Sequence, residues 1–251
     1  MSYAGARYAS LAGRHVVVTG GASGIGAEMV RGFAAQGARV AMLDIDATAG
    51  AALAAETGAA FRSCDVTDIA ALRATLAALE AEAPIAALVN NAARDDRHGW
   101  EGVEPEDWRR TLALNLDHQF FATQQVAPAM ATRGAGAVIL MGSISWMRAR
   151  PGMVGYTAAK AAINGMTRTL ARELGAAGIR VNCIVPGAIN TPRQARLWRS
   201  PEIDRAILEA QALKLPLDGS HVSRMALFLA SDEASGCTGQ NFIVDAGLTL
   251  N

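Results

Sequence analysis

Along the chain, short unbroken apolar runs alternate with longer stretches whose apolar residues recur every three or four positions. The runs "HVVVTG" (15–20), "ARVAMLDI" (38–45), "AAFRSCDV" (59–66), "IAALVNNA" (85–92), "GAVILMGSIS" (136–145), "IRVNCIVPG" (179–187) and "NFIVDAG" (241–247) end in or beside Gly, Pro, Asn or Asp. Apolar character without alternation fits strands buried on both faces, as in a parallel sheet. Between them, Ala-, Leu- and Glu-rich segments near 25–36, 68–81, 105–133 and 155–175 predict helices. Repeated strand–helix–strand order predicts an α/β fold, a Rossmann-type doubly wound parallel sheet of about seven strands with helices on both faces.

No repeat, low-complexity tract or linker divides this pattern, so residues 1–251 are read as one domain. The alternation is interrupted once, near 190–218, where "NTPRQARLWRSPEIDRAILEAQALKLPL" (190–217) carries four arginines and three prolines. An insertion beyond a strand's carboxyl end is a common place for an active-site lid. A solvated surface excursion is the alternative.

Composition narrows the function classes. The 251 residues are 51% hydrophobic, and 23 basic residues balance 23 acidic ones. Zero net charge gives no footprint for nucleic acid or an anionic membrane surface. Cys64, Cys183 and Cys237 are far apart and odd in number, which points to reduced thiols rather than a disulfide framework or a thiolate zinc site. The four histidines are scattered, so no metal is expected. The first residues lack the apolar core of a signal peptide, and no stretch approaches the ~20 apolar residues that span a bilayer. A cytoplasmic protein is the expectation.

The chemistry begins at "VVVTGGASGIG", which joins the first strand to the first helix. Gly20, Gly24 and Gly26 allow a tight turn and the approach of a phosphate to backbone amides at a helix N-terminus. After the first strand of a βαβ unit, this spacing signals dinucleotide binding. Asp44 ends the second strand, where a carboxylate accepts the adenosine ribose hydroxyls and repels a 2′-phosphate. With no Arg or Lys in the glycine loop, the cofactor expected is NAD. Capping of the helix that begins near Ala47 is the rival role for Asp44. Asp65 and Val66 close the third strand, where an Asp could meet the adenine amino group; "DVTD" also reads as a helix start. Finally, Tyr156 and Lys160 in "GYTAAK" are one helical turn apart and share a face.

"TGGASGIG" (19–26), "NNAA" (90–93), Asn115, Ser143 and the Tyr156–Lys160 pair together resemble, in order and spacing, the short-chain dehydrogenase/reductase family. The resemblance covers nearly the whole chain and extends to "TGQNFIVDAG". One departure is Ala93, where the family usually has Gly; alanine costs little there unless φ is positive. The resemblance implies that Tyr156 is the general base and that Lys160 lowers its pKa and binds the nicotinamide ribose. It also implies that Ser143 bonds the reacting oxygen and that Asn115 holds a proton-relay water. Ser23, Ile25, Asn91, Ala92, Pro186, Gly187, Ile189 and Thr191 are implied to line the cofactor. A homotetramer through the helices at 105–133 and 155–175 is implied as well.

"NNAARDDRH" (90–98) and "GSISW" (142–146) are similar to stretches of bacterial aldose 1-dehydrogenases within this family. That similarity implies oxidation of an aldose at its anomeric hydroxyl to a lactone, with Asp95, Asp96, Arg97, His98 and Trp146 as the set offered to the sugar, and Asp96, His98 and Trp146 expected to join Ser143 and Tyr156 at it. Against it stands a solvated charged loop with Trp146 packed on the lid. The alternatives for the whole chain are a 3-oxoacyl-type carbonyl reductase, a polyol dehydrogenase and a non-catalytic NAD-binding subunit.

Overall fold

The computed structural model of the protein describes residues 5–250. Seven strands, β1 (His15–Thr19), β2 (Arg39–Asp44), β3 (Ala60–Ser63), β4 (Ile85–Asn90), β5 (Gly136–Met141), β6 (Ile179–Pro186) and β7 (Asn241–Val244), form one parallel sheet in the order β3-β2-β1-β4-β5-β6-β7. The chain builds outward from β1 to one edge, returns to lay β4 on the other side of β1, and builds outward again. Ligands of such sheets bind beyond the strands' carboxyl ends at this reversal. Thr19, the last residue of β1, pairs with Leu43 of β2 and with Asn90 of β4, so three carboxyl ends meet there.

Strands β1, β2, β4, β5 and β6 send alternate side chains into two separate cores. On one face Val17, Leu88, Val138 and Val181 meet Leu72, Leu76 and Leu79 of α3 (Ile69–Glu82), Val126 and Met130 of α5 (His118–Arg133), and Ile163 and Leu170 of α7 (Val154–Leu174). On the other, Val16, Val18, Met42 and Ile139 meet Met29, Val30 and Phe33 of α1 (Gly24–Ala35), Leu53 of α2 (Ala47–Thr57), and Val222, Ala226 and Leu227 of α10 (Gly219–Ala230). Burying one such large side chain stabilises the fold by about 1.5–3 kcal/mol. Apolar residues on both faces explain why these strands read as continuous hydrophobic runs.

Three differences from the sequence reading bear on the site. The helix expected over 105–133 is α4 (Pro105–Leu112), a π-helical turn at Ala113–Asp117, then α5. The Asn115 side-chain amide donates to the Thr111 carbonyl at 3.0 Å, in competition with the backbone ladder. The third strand stops at Ser63, so Asp65 and Val66 lie in the following turn. The insertion is ordered as α8 (Pro192–Trp198) and α9 (Pro201–Ala210), each opened by a proline and capped by Thr191 or Ser200. A short α6 (Ser145–Arg148) follows β5.

Candidate active site

A cleft of about 480 Å³ runs along the carboxyl ends of the strands. One end is built by the glycine turn. Gly20 adopts φ +62° and a Cβ on it would sit 2.7 Å from the Ala92 backbone. Gly26, in the first turn of α1, packs against the Gly20 carbonyl so closely that a Cβ would approach it to 1.9 Å. It therefore supports the turn from beneath, whereas Gly20, Ser23, Gly24 and Ile25 line the cleft. Asn91 clamps the same turn by donating its side-chain amide to the Thr19 and Gly20 carbonyls at 3.1 and 2.9 Å.

No side chain caps α1, while Asp46, Asp68, Thr191, Ser200 and Asp218 cap α2, α3, α8, α9 and α10. The exposed amides of α1 and the room left by the glycines fit a pyrophosphate group. Asp44 is not a helix cap: Asp46 holds that position, accepting from the Ala49 amide. The Asp44 carboxylate instead accepts from the Ala22 amide (2.9 Å) and the Asp46 amide (3.1 Å) and lines the cleft. A carboxylate with two such bonds retains acceptor capacity for ribose hydroxyls. Asp65 makes an Asx-type turn to Thr67, and the cap of α3 is Asp68. Asp65, Val66 and Ala92 also face the cleft.

The other end gathers Ser143, Tyr156 and Lys160, with Pro186, Gly187, Ile189 and Thr191 along one side. Tyr156 and Lys160 project from one face of α7, and the Lys160 Nζ lies 5.7 Å from the tyrosine ring centroid. Lys160 is 1% exposed and donates to the Met141 carbonyl at 2.8 Å. Burial pushes its pKa down to about 8. Burial pushes the Tyr156 phenol up to about 12; a hydrogen bond from Ser143 opposes this and the Asp95 carboxylate adds to it. In the chain alone desolvation dominates the phenol; the expected lowering calls on Lys160 together with a nicotinamide cation.

Asn115 is buried behind this wall, not on it. Its side-chain carbonyl accepts from the Arg94 amide at 3.0 Å, anchoring the loop after β4. Ala93 in that loop lies on the cleft without a positive φ, so replacing the family's glycine strains nothing. Neighbouring His118, fully buried, bonds the Ala92 carbonyl through Nε2 (2.9 Å), and burial next to Lys160 lowers its pKa to about 3.

Of the residues expected at the sugar, Ser143 and Tyr156 line the cleft, and Asp96, His98 and Trp146 do not. Asp96 is exposed and pairs with Arg94 and Arg193. The His98 ring bonds the Gly99 carbonyl, and Trp146 stands on α6, 40% exposed. Asp95 and Arg97 of the same expected stretch do line the cleft, with Met153, Gln194 and Trp198 beside them. The loop after β4 and α8 are tied across the cleft: Gln194 donates to Asp95 (2.8 Å), Arg193 pairs with Asp96 (2.9 Å), and the Arg97 guanidinium lies 4.1 Å from the Trp198 ring centroid. Residues of the insertion thus form one wall of the cleft. An indole in "ARLWRS" and the arginines of "WMRAR" carried no spacing by which the sequence could place them here.

A dinucleotide-sized cleft with a Ser–Tyr–Lys set at one end agrees with comparison against known proteins. The family model described as "Enoyl-(Acyl carrier protein) reductase" (adh_short_C2) matches residues 20–249. The chain belongs to the short-chain dehydrogenase/reductase family. It is 46% identical to a D-xylose 1-dehydrogenase of Caulobacter vibrioides over 96% of this chain and 97% of that protein. It is 44% identical to the "Probable galactose dehydrogenase GalD" of Rhizobium meliloti, over 99% of this chain and all of the other. Among solved structures, a 3-oxoacyl-[acyl-carrier protein] reductase from Brucella melitensis superposes with a TM-score of 0.91 at 29% identity, covering 100% of this chain and 97% of the other. Membership of this family implies a nicotinamide cofactor. Among the described residues, no helix is long and apolar enough to cross a membrane.

Proposed function

We propose that this short-chain dehydrogenase is an NAD-dependent sugar dehydrogenase that oxidises the anomeric hydroxyl of an aldose to the lactone. The observation that carries the reading is the convergence of Ser143, Tyr156 and Lys160 on one end of the cleft, in a chain 46% identical to a D-xylose 1-dehydrogenase. A nicotinamide bound there supplies the hydride acceptor and, when oxidised, a positive charge. Tyr156 takes the proton of the anomeric hydroxyl as hydride leaves C1. Its phenolate, disfavoured by burial, is supported by the Ser143 hydrogen bond and is assigned further support from the Lys160 ammonium, 5.7 Å from the ring centroid. Ser143 holds the sugar oxygen as it becomes a carbonyl. Asn115, at the π turn, is assigned to the proton relay behind Lys160.

NAD is favoured over NADP because Asp44 faces the cleft beside Leu43, Ile45, Cys64, Asp65 and Val66, a group without a cation. The glycine turn, the ends of β2 and β3, and the 186–191 segment together are assigned to that cofactor, within one domain bearing a lid at 190–218. The three free cysteines suit a cytoplasmic setting. Phe120 on α5 and Val154 on α7, both partly exposed, suit helix faces that pair in a homotetramer.

The test is Tyr156→Phe with an aldose panel and product analysis. The variant should lose about 10²–10⁴-fold or more in kcat while binding NADH within a few-fold of the parent. Carbon-13 spectra of the parent's product should show a lactone or aldonate. A ketose formed from a polyol, or turnover confined to acyl carbonyls, would overturn the assignment.

A further inference from the structure

The sugar end of the cleft holds more positive charge than its own carboxylates balance. Six arginines line the cleft. Arg94 and Arg193 pair with Asp96, and Arg199 pairs with Asp204 at 3.2 Å. Arg97, Arg148 and Arg150 make no ion pair among the described residues. The two loops that carry Arg97 and Arg150 are strapped together, with the His98 amide donating to the Gly152 carbonyl at 2.8 Å. Between Arg148 and Arg150, Ala149 is held at φ 47°, a conformation alanine adopts at a cost and one that persists only where the surroundings impose it.

Arg97 is only partly exposed, and its buried Nε has no hydrogen-bond partner; the same is true of the Nε1 of Trp198, over whose ring the Arg97 guanidinium lies. Burial and the nearby charge of Arg150 both push the Arg97 pKa down. Two guanidinium groups held near each other, with an unused donor, form a site that an anion would relieve. Asp95 acts electrostatically on both Arg97 and Tyr156, so this site and the proposed base share one end of the cleft. In a chain of zero net charge the excess is local to this wall.

We propose that the sugar oxidised here carries an anionic group, a carboxylate or a phosphate, remote from its anomeric carbon and held between Arg97 and Arg150. The guanidinium fork suits either group through paired N–H donors. This rests on the sugar-dehydrogenase reading and specifies its substrate class. The reaction is unchanged: the C1–H bond breaks with its electron pair leaving as hydride for the acceptor that a bound, oxidised nicotinamide would supply, the hydroxyl proton passes to Tyr156 and C1 gains a second bond to its exocyclic oxygen. The acid group takes no part in bond making.

Initial NADH formation would be measured with D-xylose, D-galactose, D-glucose, D-galacturonate, D-glucuronate and D-glucose 6-phosphate, using the parent, Arg97→Gln and Arg150→Gln. The expected result is a kcat/KM at least tenfold higher for an acidic sugar than for its neutral counterpart. That advantage should shrink with added salt and in both variants. Whether the uronates or the phosphate benefit identifies the group. Because Arg97 also braces Trp198, the exposed Arg150 provides the independent variant. Neutral sugars reacting as well as acidic ones, or an acidic preference that survives both substitutions, would overturn the inference and leave the sugar-dehydrogenase reading intact. NADH from polyols or secondary alcohols but from no aldose would overturn that reading itself.

Discussion

At the scale of single residues, the site spends stability on chemistry. The Lys160 ammonium is sealed inside the protein and titrates near 8 instead of its ordinary 10.5. Between those values the unfolded chain binds a proton that the folded one does not, so stability rises with pH across that window, and the penalty is fully present below about pH 8. Lys160→Met should therefore abolish turnover yet raise Tm at pH 7, with the advantage shrinking as pH rises from 8 to 10.5. The Met141 carbonyl keeps the Gln119 amide as a donor at 3.3 Å, so the substitution does not orphan it. Melting curves of both proteins across that range check it. His118 gives the opposite end of the profile. Its pKa of about 3 against an ordinary 6.5 means stability drains away as pH falls from 6.5 towards 3. In His118→Gln that part of the acid loss should be missing, visible as a smaller difference in denaturant midpoint between pH 7 and pH 4.

At the scale of elements, the turn between β1 and α1 rests on contact rather than hydrogen bonding alone. Gly26→Ala would drive a methyl group into the Gly20 carbonyl. We expect NAD affinity to fall by at least tenfold, measured by isothermal titration, with the far-ultraviolet spectrum retained. This turn was legible in the sequence because glycine spacing and the adjoining strand share one geometric cause. The strands were legible too, since burial on both faces leaves no polar alternation. Other elements were not. The π turn within 105–133 depends on whether the Asn115 side chain competes with its own helix, which helical periodicity does not register. Helix α10 was not among the helices read from the sequence, although it covers a whole face of α1. At the sugar end, Asp95 and Arg97 were legible in the stretch 90–98, but Trp198 joins them only through tertiary contacts invisible to spacing, while Asp96, His98 and Trp146 fall outside.

At the scale of the whole molecule, cofactor choice should be readable as stability. A ligand at 100 times its Kd stabilises the native state by about 2.7 kcal/mol. For a chain of this size that corresponds to a Tm rise of roughly 5–10 °C. NAD should produce it, and NADP at the same concentration should not. In Asp44→Ala the gap between the two should narrow, mainly because repulsion of the 2′-phosphate is gone. An equal shift with both nucleotides in the parent would remove Asp44 as the discriminator.

The sheet order carries a consequence for how such a protein can be re-engineered. The groups assigned to the adenosine half of the cofactor, from Gly20 through Asp44 to Val66, all precede residue 67, on β1–β3 and their turns. Asn115, Ser143, Tyr156 and Lys160 all follow β4. The chain thus changes duty where the sheet reverses, and the two portions abut along the β1–β4 ladder. They are stitched there by Asn91 to the Thr19 and Gly20 carbonyls and by the Ala92 amide to the Thr19 hydroxyl. A chimera that takes its first 67 residues from a relative of opposite nucleotide preference, keeping threonine at 19 and glycine at 20, would transplant that preference while its sugar chemistry stayed with the recipient.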